Sequence, residues 1–302
     1  ASTTGVEGTS PPTTVATTTT LAPATTAATT TTTEPRPEVC DSILEEPLVL
    51  GPIVEDGLFE VSGIARSELT PGLIWAHNDS GAPPRLWAVA ADGSVLGYHE
   101  VRARNVDWED VAIAPGPDGT PWIHLADIGD NLGRRSQVWL HRFPEPSTAS
   151  GVVEEVESLE VTYPEGSADA EALIVDPLTG DSFIVTKTAS GRSTVMRVPV
   201  GAWSQEAAVA VPVATIDLGT LAFATAADIS ADGSVIAVRT YGDVWLWERE
   251  PGETVDEALS GRRCRAPAPG EPQGEAIALY DDGYVTVSEG EQPFVYRFVD
   301  VG

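Results

Sequence analysis

Carboxylates recur at matched places in this chain. Five stretches carry an acidic or small pair at the head of an apolar run: Ser62-Gly63-Ile64-Ala65, Glu109-Asp110-Val111-Ala112, Glu171-Ala172-Leu173-Ile174, Ala227-Asp228-Ile229-Ser230 and Glu275-Ala276-Ile277-Ala278. Aligned, they give a first column of Ser62, Glu109, Glu171, Ala227 and Glu275, and a second of Gly63, Asp110, Ala172, Asp228 and Ala276. If the runs converge on one axis, three or more carboxylates meet there. They cannot all stay ionised at neutral pH unless their pKa values rise or a cation neutralises them. A hard cation with oxygen ligands, most simply Ca²⁺, satisfies such a site without His or Cys. Glu109, Asp110, Glu171, Asp228 and Glu275 are the candidate ligands. The same residues have two other uses: capping backbone N–H groups of a neighbouring element, or facing solvent in a wet channel.

A second set lies where the next apolar run of each stretch ends: His77-Asn78-Asp79-Ser80-Gly81, Asp127-Ile128-Gly129-Asp130-Asn131, Thr186-Lys187, Arg239-Thr240-Tyr241 and Ser288-Glu289-Gly290. Loops on a rigid scaffold are where function usually sits. The segment with Asp127 and Asp130 is rich in oxygen ligands and has a glycine for a sharp turn, but lacks the full calcium-loop pattern. Lys187 is the only lysine in the chain. With Arg239 it is a candidate to hold a carboxylate or phosphate group, or else to pair with the acids. In Asp107-Trp108-Glu109-Asp110, three acids flank a tryptophan. They supply a metal ligand, a general base and an aromatic wall, although Trp108 suits packing between elements equally well. Asp107, His77 and Asp79 are candidates for proton transfer. His99, His124 and His141 lie in apolar or outer-run contexts and are expected to be structural. No Gly-x-Ser-x-Gly elbow, phosphate-cradling glycine loop or His-Glu-x-x-His is present, which leaves serine-triad, nucleotide and zinc-protease chemistry without support.

The elements that must position these residues repeat. Each head is followed by a turn signal: Pro71-Gly72, Asp118-Gly119, Thr179-Gly180, Asp232-Gly233 and Asp282-Gly283. A second strand-like run comes next (73–76, 122–126, 182–186, 235–238, 284–287), then a third (85–89, 138–143, 194–198, 244–247, 294–298). From Ile64 to Val111, Leu173, Ile229 and Ile277 the spacings are 47, 62, 56 and 48 residues. Units of this size with three or four short antiparallel strands predict propeller blades. Outer strands are expected at 95–101, 158–163 and 209–218. The run 47–54 has no unit of its own and fits as the missing outer strand of the last blade. Helix signals are confined to 204–210 and 255–259. The expected fold is all-β: one five-bladed β-propeller over residues 40–302. Six blades is the runner-up, because the 62-residue spacing has room for irregular strands.

Residues 1–39 contain 16 Thr, no aromatic residue and only Glu7, Glu34, Arg36 and Glu38 as charges. Such a segment cannot offset the entropy of ordering it, and is expected to be a disordered Thr/Ala/Pro-rich linker or stalk. The chain starts at Ala1 without Met, so a processed form is expected. Extracellular or cell-surface placement follows, with the stalk as a route to cell-wall or lipid anchoring. Cys40 and Cys264 are the only cysteines. In a secreted chain an even pair points to a disulfide, with two buried thiols as the alternative. The balance of 17 basic against 46 acidic residues, net −29, argues against nucleic acid or an anionic membrane surface as partner. No apolar run is long enough to span a bilayer. A small-molecule or glycan ligand and a monomeric state are expected.

The heads Ser62-Gly63-Ile64-Ala65, Glu171-Ala172-Leu173 and Gly274-Glu275-Ala276-Ile277, each followed by a turn and a strand, resemble the (S/E)-G-(I/L)-A blade starts of secreted calcium-type propellers. These include the phytase-like, esterase-like group and the gluconolactonase/paraoxonase group. The resemblance covers most of residues 61–298. It implies a propeller, a central calcium ion and hydrolysis of an ester, lactone or phosphoester. In lactonase-type members Glu, Asn and Asp side chains hold the metal, and the matching positions are Glu109 or Glu171, Asn78 or Asn131, and Asp228. Those families usually have six blades, and the phytase cleft is rich in Lys and Arg, where this chain has one lysine. Besides a metal-dependent hydrolase, two functions stay open: a non-catalytic extracellular module binding glycan or protein, and a five-bladed glycosidase using Glu171 with Asp110 or Asp228.

Overall fold

A computed structural model describes residues 1, 2, 5, 39–43 and 46–301. The chain divides into a unit over Ala1–Arg36 and a unit over Pro37–Gly302. The expected Thr-rich stalk lies almost entirely outside the described residues. Every described strand and helix belongs to the second unit.

Five sheets, each built on four antiparallel strands, make five blades, which settles the count against six. Their inner strands are Val61–Arg66, Trp108–Pro115, Ala170–Val175, Ala224–Ile229 and Gly274–Tyr280. Each runs into a second strand through a tight turn where a glycine takes the left-handed backbone that side chains disfavour, as at Gly119 (φ 77°) and Gly233 (φ 73°). The second strands, such as Ser182–Thr186, are buried on both faces, so they are built from continuous apolar runs rather than alternation. Five apolar clusters form the core, each shared by two adjacent blades. Leu86, Trp75 and Phe143 join blades 1 and 2, for example, and Ile277, Phe298 and Leu246 join blades 4 and 5.

The ring closes with the two ends of the domain. Leu48–Pro52 pairs antiparallel with Phe294–Val299 as the outer strand of blade 5, in the expected place. The disulfide Cys40–Cys264 ties this leading segment to the outer strand of blade 4, Arg263–Ala266. That four-residue strand is too short and too polar to show in the sequence pattern. Val39 N also donates to Glu248 Oε1 (2.7 Å), and Ile43 bridges to Asp300.

The long repeats hold staples rather than a sixth blade. Gly151–Val153, between the third and fourth strands of blade 2, pairs in parallel with the outer strand of blade 1. Ala207–Val209 of blade 3 does the same to blade 2. In blade 4 the corresponding connection is the helix Val255–Ser260, whose Val255, Ala258 and Leu259 cluster with Ile216 on the outer strand of blade 3, Val211–Asp217, and with Leu218 just after it. The helical turn expected at 204–210 is instead a 3₁₀ turn at Val200–Ser204 followed by the Ala207–Val209 strand. Among the described residues the outer strand of blade 5 pairs with Phe294–Val299 alone, and a bulge between Val49 and Gly51 and Pro52 at its end blunt that edge.

The disulfide closes a loop with a sequence separation of 224 residues. On the chain-entropy model such a loop contributes up to about 5 kcal/mol. Cys40→Ser/Cys264→Ser is expected to lower the urea midpoint and to steepen the slope, because the unfolded chain without the cross-link exposes more surface, and reductant to do the same to the wild type. An unchanged midpoint contradicts a stabilising closure.

Candidate functional site

Each inner strand opens with a register shift against its second strand: Val61/Gly63, Trp108/Asp110, Ala170/Ala172, Ala224/Ala226 and Gly274/Ala276. A bulge re-aims the extra side chain. The residues at the five bulges are Ser62, Glu109, Glu171, Thr225 and Glu275. The first column is therefore correct for four blades, while blade 4 contributes Thr225 where the sequence alignment places Ala227. Ser62 Oγ donates to Glu109 O (2.7 Å) and Thr225 Oγ1 to Gly274 O (2.8 Å), each linking its blade to the next.

At this end of the channel lies a cavity of about 190 Å³. Ser62, Glu109, Glu171 and Glu275 line it, together with Glu60, Asp79, Asn131, Lys187, Tyr241, Gln273 and Glu289. Beside it, oxygens of Asp79, Asp107 and Glu109 all lie within 4.8 Å of one another. Asp79 follows the second strand of blade 1, and Asp107 precedes the inner strand of blade 2. Glu109 is 3% exposed, and its Oε1 has no hydrogen-bond partner among the described residues. Gly129 makes the approach possible, because a Cβ there would collide with Glu109 Oε1 and the Asp107 carboxylate. Burial pushes Asp107 up to about 6, with Asp79 adding repulsion. Burial also drives Glu109 well above its usual range, reinforced by Glu171, Asp79 and Asp107.

Across the cavity, Lys187 Nζ pairs with Glu171 Oε1 and lies 5.2 Å from the Tyr241 ring centre. Burial raises Glu171 to about 9 against the pull of Lys187. Glu275 accepts from Gln273 Nε2 (2.9 Å), which also donates to Glu289, and burial lifts Glu275 to about 7.

Several expected site residues serve the scaffold instead. Asp110 is wholly buried: its Oδ2 accepts from Leu173 N (2.8 Å) and Ala227 N (3.0 Å), its Oδ1 from Val111 N (2.9 Å). One carboxyl group thus ties blades 2, 3 and 4. Asp228 does the same for blades 4 and 5, accepting from Leu279 N (2.7 Å) and Ile229 N (2.8 Å), and burial lifts it to about 7. It borders a separate cavity with Arg66 and Glu68, reached from the far ends of the inner strands. The oxygens of Asp110 and Asp228, the expected glycosidase partners of Glu171, are thus taken up by backbone amides. Asn78 accepts from Phe59 N and Glu60 N and donates to Gly57 O. Asp127 accepts from Val106 N and Asp107 N (both 3.1 Å) and pairs with Arg135, so it positions Asp107. Asp130 accepts from the amides of Arg134 and Arg135.

His77 is fully buried against Gly63 and edge-on to Trp108. Burial lowers it to about 4, so its ring is neutral at pH 7. Trp108 is buried too, its indole N–H donating to Arg104 O. Arg239 is buried against Glu271, away from the cavity lining. His99 and His141 bond to Thr148 O and Ser158 Oγ, and His124 packs edge-on to Trp203, as structural residues do.

No family model matches this chain, and no curated protein matches it. Among solved structures, the crystal structure of a nidogen/laminin complex is similar, with a TM-score of 0.47 and 12% identity over 78% of this chain and 74% of that chain. No helix among the described residues is long and apolar enough to cross a membrane.

Asp110→Ala leaves three interior amides without an acceptor, each costing about 1–3 kcal/mol, so urea unfolding should show a loss of about 3 kcal/mol or more. Asp107, Asp228 and Glu275 hold protons more tightly folded than unfolded. Their contribution is full below about pH 4 and is lost as pH rises through about 6 to 7. Melting temperature in chelator should therefore fall across that interval, and a flat profile contradicts the desolvation argument.

Proposed function

We propose that the protein is an extracellular propeller that binds one divalent cation at its channel mouth and uses that site to hydrolyse a small ester, lactone or phosphoester. The observation that carries this reading is Glu109: a buried carboxylate oxygen without a donor, turned towards Asp79 and Asp107. Leaving such an oxygen unpartnered costs free energy, and a cation relieves that cost along with the mutual repulsion of the three acids. The donors are all carboxylate oxygens, which suits calcium and disfavours zinc or copper. Asp79, Asp107 and Glu109 would hold the ion, with Asn131 at the rim. When bound, such an ion polarises a carbonyl or phosphoryl oxygen.

The chain's own groups supply the rest. Asp127 fixes the Asp107 backbone, and Gly129 closes the wall behind the ligands. Glu275 is a carboxyl group biased towards its protonated form, the state a general acid needs at neutral pH. The cavity, at about 190 Å³, is below the roughly 300–1,000 Å³ of drug-sized ligand sites. That favours an ion with a small reacting group over an enclosed sugar ring. The disulfide supports an oxidising, extracellular setting.

Thermal melting in EDTA followed by calcium add-back tests the reading. Calcium at 100 times its Kd adds about 2.7 kcal/mol, which corresponds to a rise on the order of 5 °C in a domain of this size. The rise should vanish in Glu109→Gln. Turnover on an ester, lactone and phosphoester panel should require calcium and fail in the same variant. No calcium shift contradicts the cation site. A shift without turnover on any panel member contradicts the hydrolase and leaves a calcium-dependent binding module.

A further inference from the structure

We infer that the channel mouth has a second cation position, on the axis between Glu171 and Glu275, and that the ammonium of Lys187 is its resident occupant. The inference deepens the proposed reading, because it assigns the other half of the same cavity.

The ring of bulges shows why a cation is needed there. Three of its five positions carry glutamates, Glu109, Glu171 and Glu275, and all three line one cavity. With Glu60, Asp79 and Glu289, six acidic residues line it, against one basic residue. That basic residue is the only lysine of a chain with 17 basic residues. Its side chain is 13% exposed and that of its partner Glu171 is 4% exposed, so the pair is shielded from water.

The ammonium does more than neutralise one partner. It lines the same cavity as Glu109, Glu275, Asp79 and Glu289 while paired with Glu171. Tyr241 presents its ring to the same nitrogen, a contact that suits a desolvated cation. Lys187 stands directly after the second strand of blade 3, Ser182–Thr186, and its amide donates to Asp169 O (2.9 Å), so its backbone is fixed. A tethered ammonium is a compact point charge with three donors. It does for Glu171 and Glu275 what a free ion does for Asp79, Asp107 and Glu109. The orphaned Oε1 of Glu109 lies on the free-ion side of the cavity, where no side-chain donor among the described residues reaches it. The mouth is thus divided into one position filled by the chain itself and one left for an ion from solution.

Calorimetric titration of CaCl₂ into the purified full chain tests this. The wild type should take up one ion. Lys187→Gln empties the axial position and should take up two. Glu171→Gln/Lys187→Gln removes the pair as a unit and should return to one, with circular dichroism confirming that each variant is folded. One ion with unchanged affinity in Lys187→Gln overturns the inference while leaving the proposed cation site standing. No uptake by the wild type but one ion in Lys187→Gln does the reverse: the axial position stands and the Asp79–Asp107–Glu109 site falls. No uptake by either protein overturns both.

Discussion

Carboxylates taken out of water must be compensated by hydrogen bonds or by opposite charge, and this constraint governs the channel of the propeller. The chain meets it in three ways along one axis. In the interior, Asp110 and Asp228 receive backbone amides from neighbouring blades, and those hydrogen bonds hold the ring together. On one side of the mouth, Glu171 receives the ammonium of Lys187. On the other side, Asp79, Asp107 and Glu109 converge without a cation of the chain seated among them. The first two arrangements are self-sufficient. In the third the charge is relieved only by raised proton affinity at Asp107 and Glu109, and the proposed functional reading rests on that difference.

The scaffold makes the difference sharp. A bulge at the head of each inner strand turns one side chain into the channel without disturbing the register below it. The same position carries a structural hydroxyl in blades 1 and 4 and a glutamate in blades 2, 3 and 5. Rigidity comes from outside the channel. Apolar clusters lie between every pair of adjacent blades. Short parallel strands and one helix staple blades 1, 2 and 3 to their successors, and the disulfide and closing strand join the ends.

Most of the fold was legible because propeller repeats leave marks that local physics enforces. Every inner hairpin needs a turn glycine, and every inner strand starts with a small or acidic head. The closing strand was legible as an apolar run without a unit. In blade 4 the sequence alignment falls two residues late, because Thr225 sits among alanines and the nearest charge, Asp228, belongs to a deeper level of the channel. The staples Gly151–Val153 and Ala207–Val209 left no mark because three residues carry no periodicity. At the site, composition showed which residues were acidic but not which were already engaged. Asn78, Asp127 and Asp130 look like ligands in sequence, yet their oxygens accept from loop amides. Glu60, Tyr241, Gln273 and Glu289 reach the cavity only because loops distant in sequence meet there. Tyr241 and Glu289 lie inside strand-end stretches with a chemical signature, whereas Glu60 and Gln273 have no signal beyond standing just ahead of an inner strand.

The most direct test of the central claim is a high-resolution crystal structure grown in calcium, with anomalous differences recorded at long wavelength. The account predicts an anomalous peak bound by Asp79, Asp107 and Glu109 at roughly 2.3–2.6 Å, with about six to eight oxygens in all. Water alone at that place, with Glu109 Oε1 taking up a donor from the protein, would contradict it.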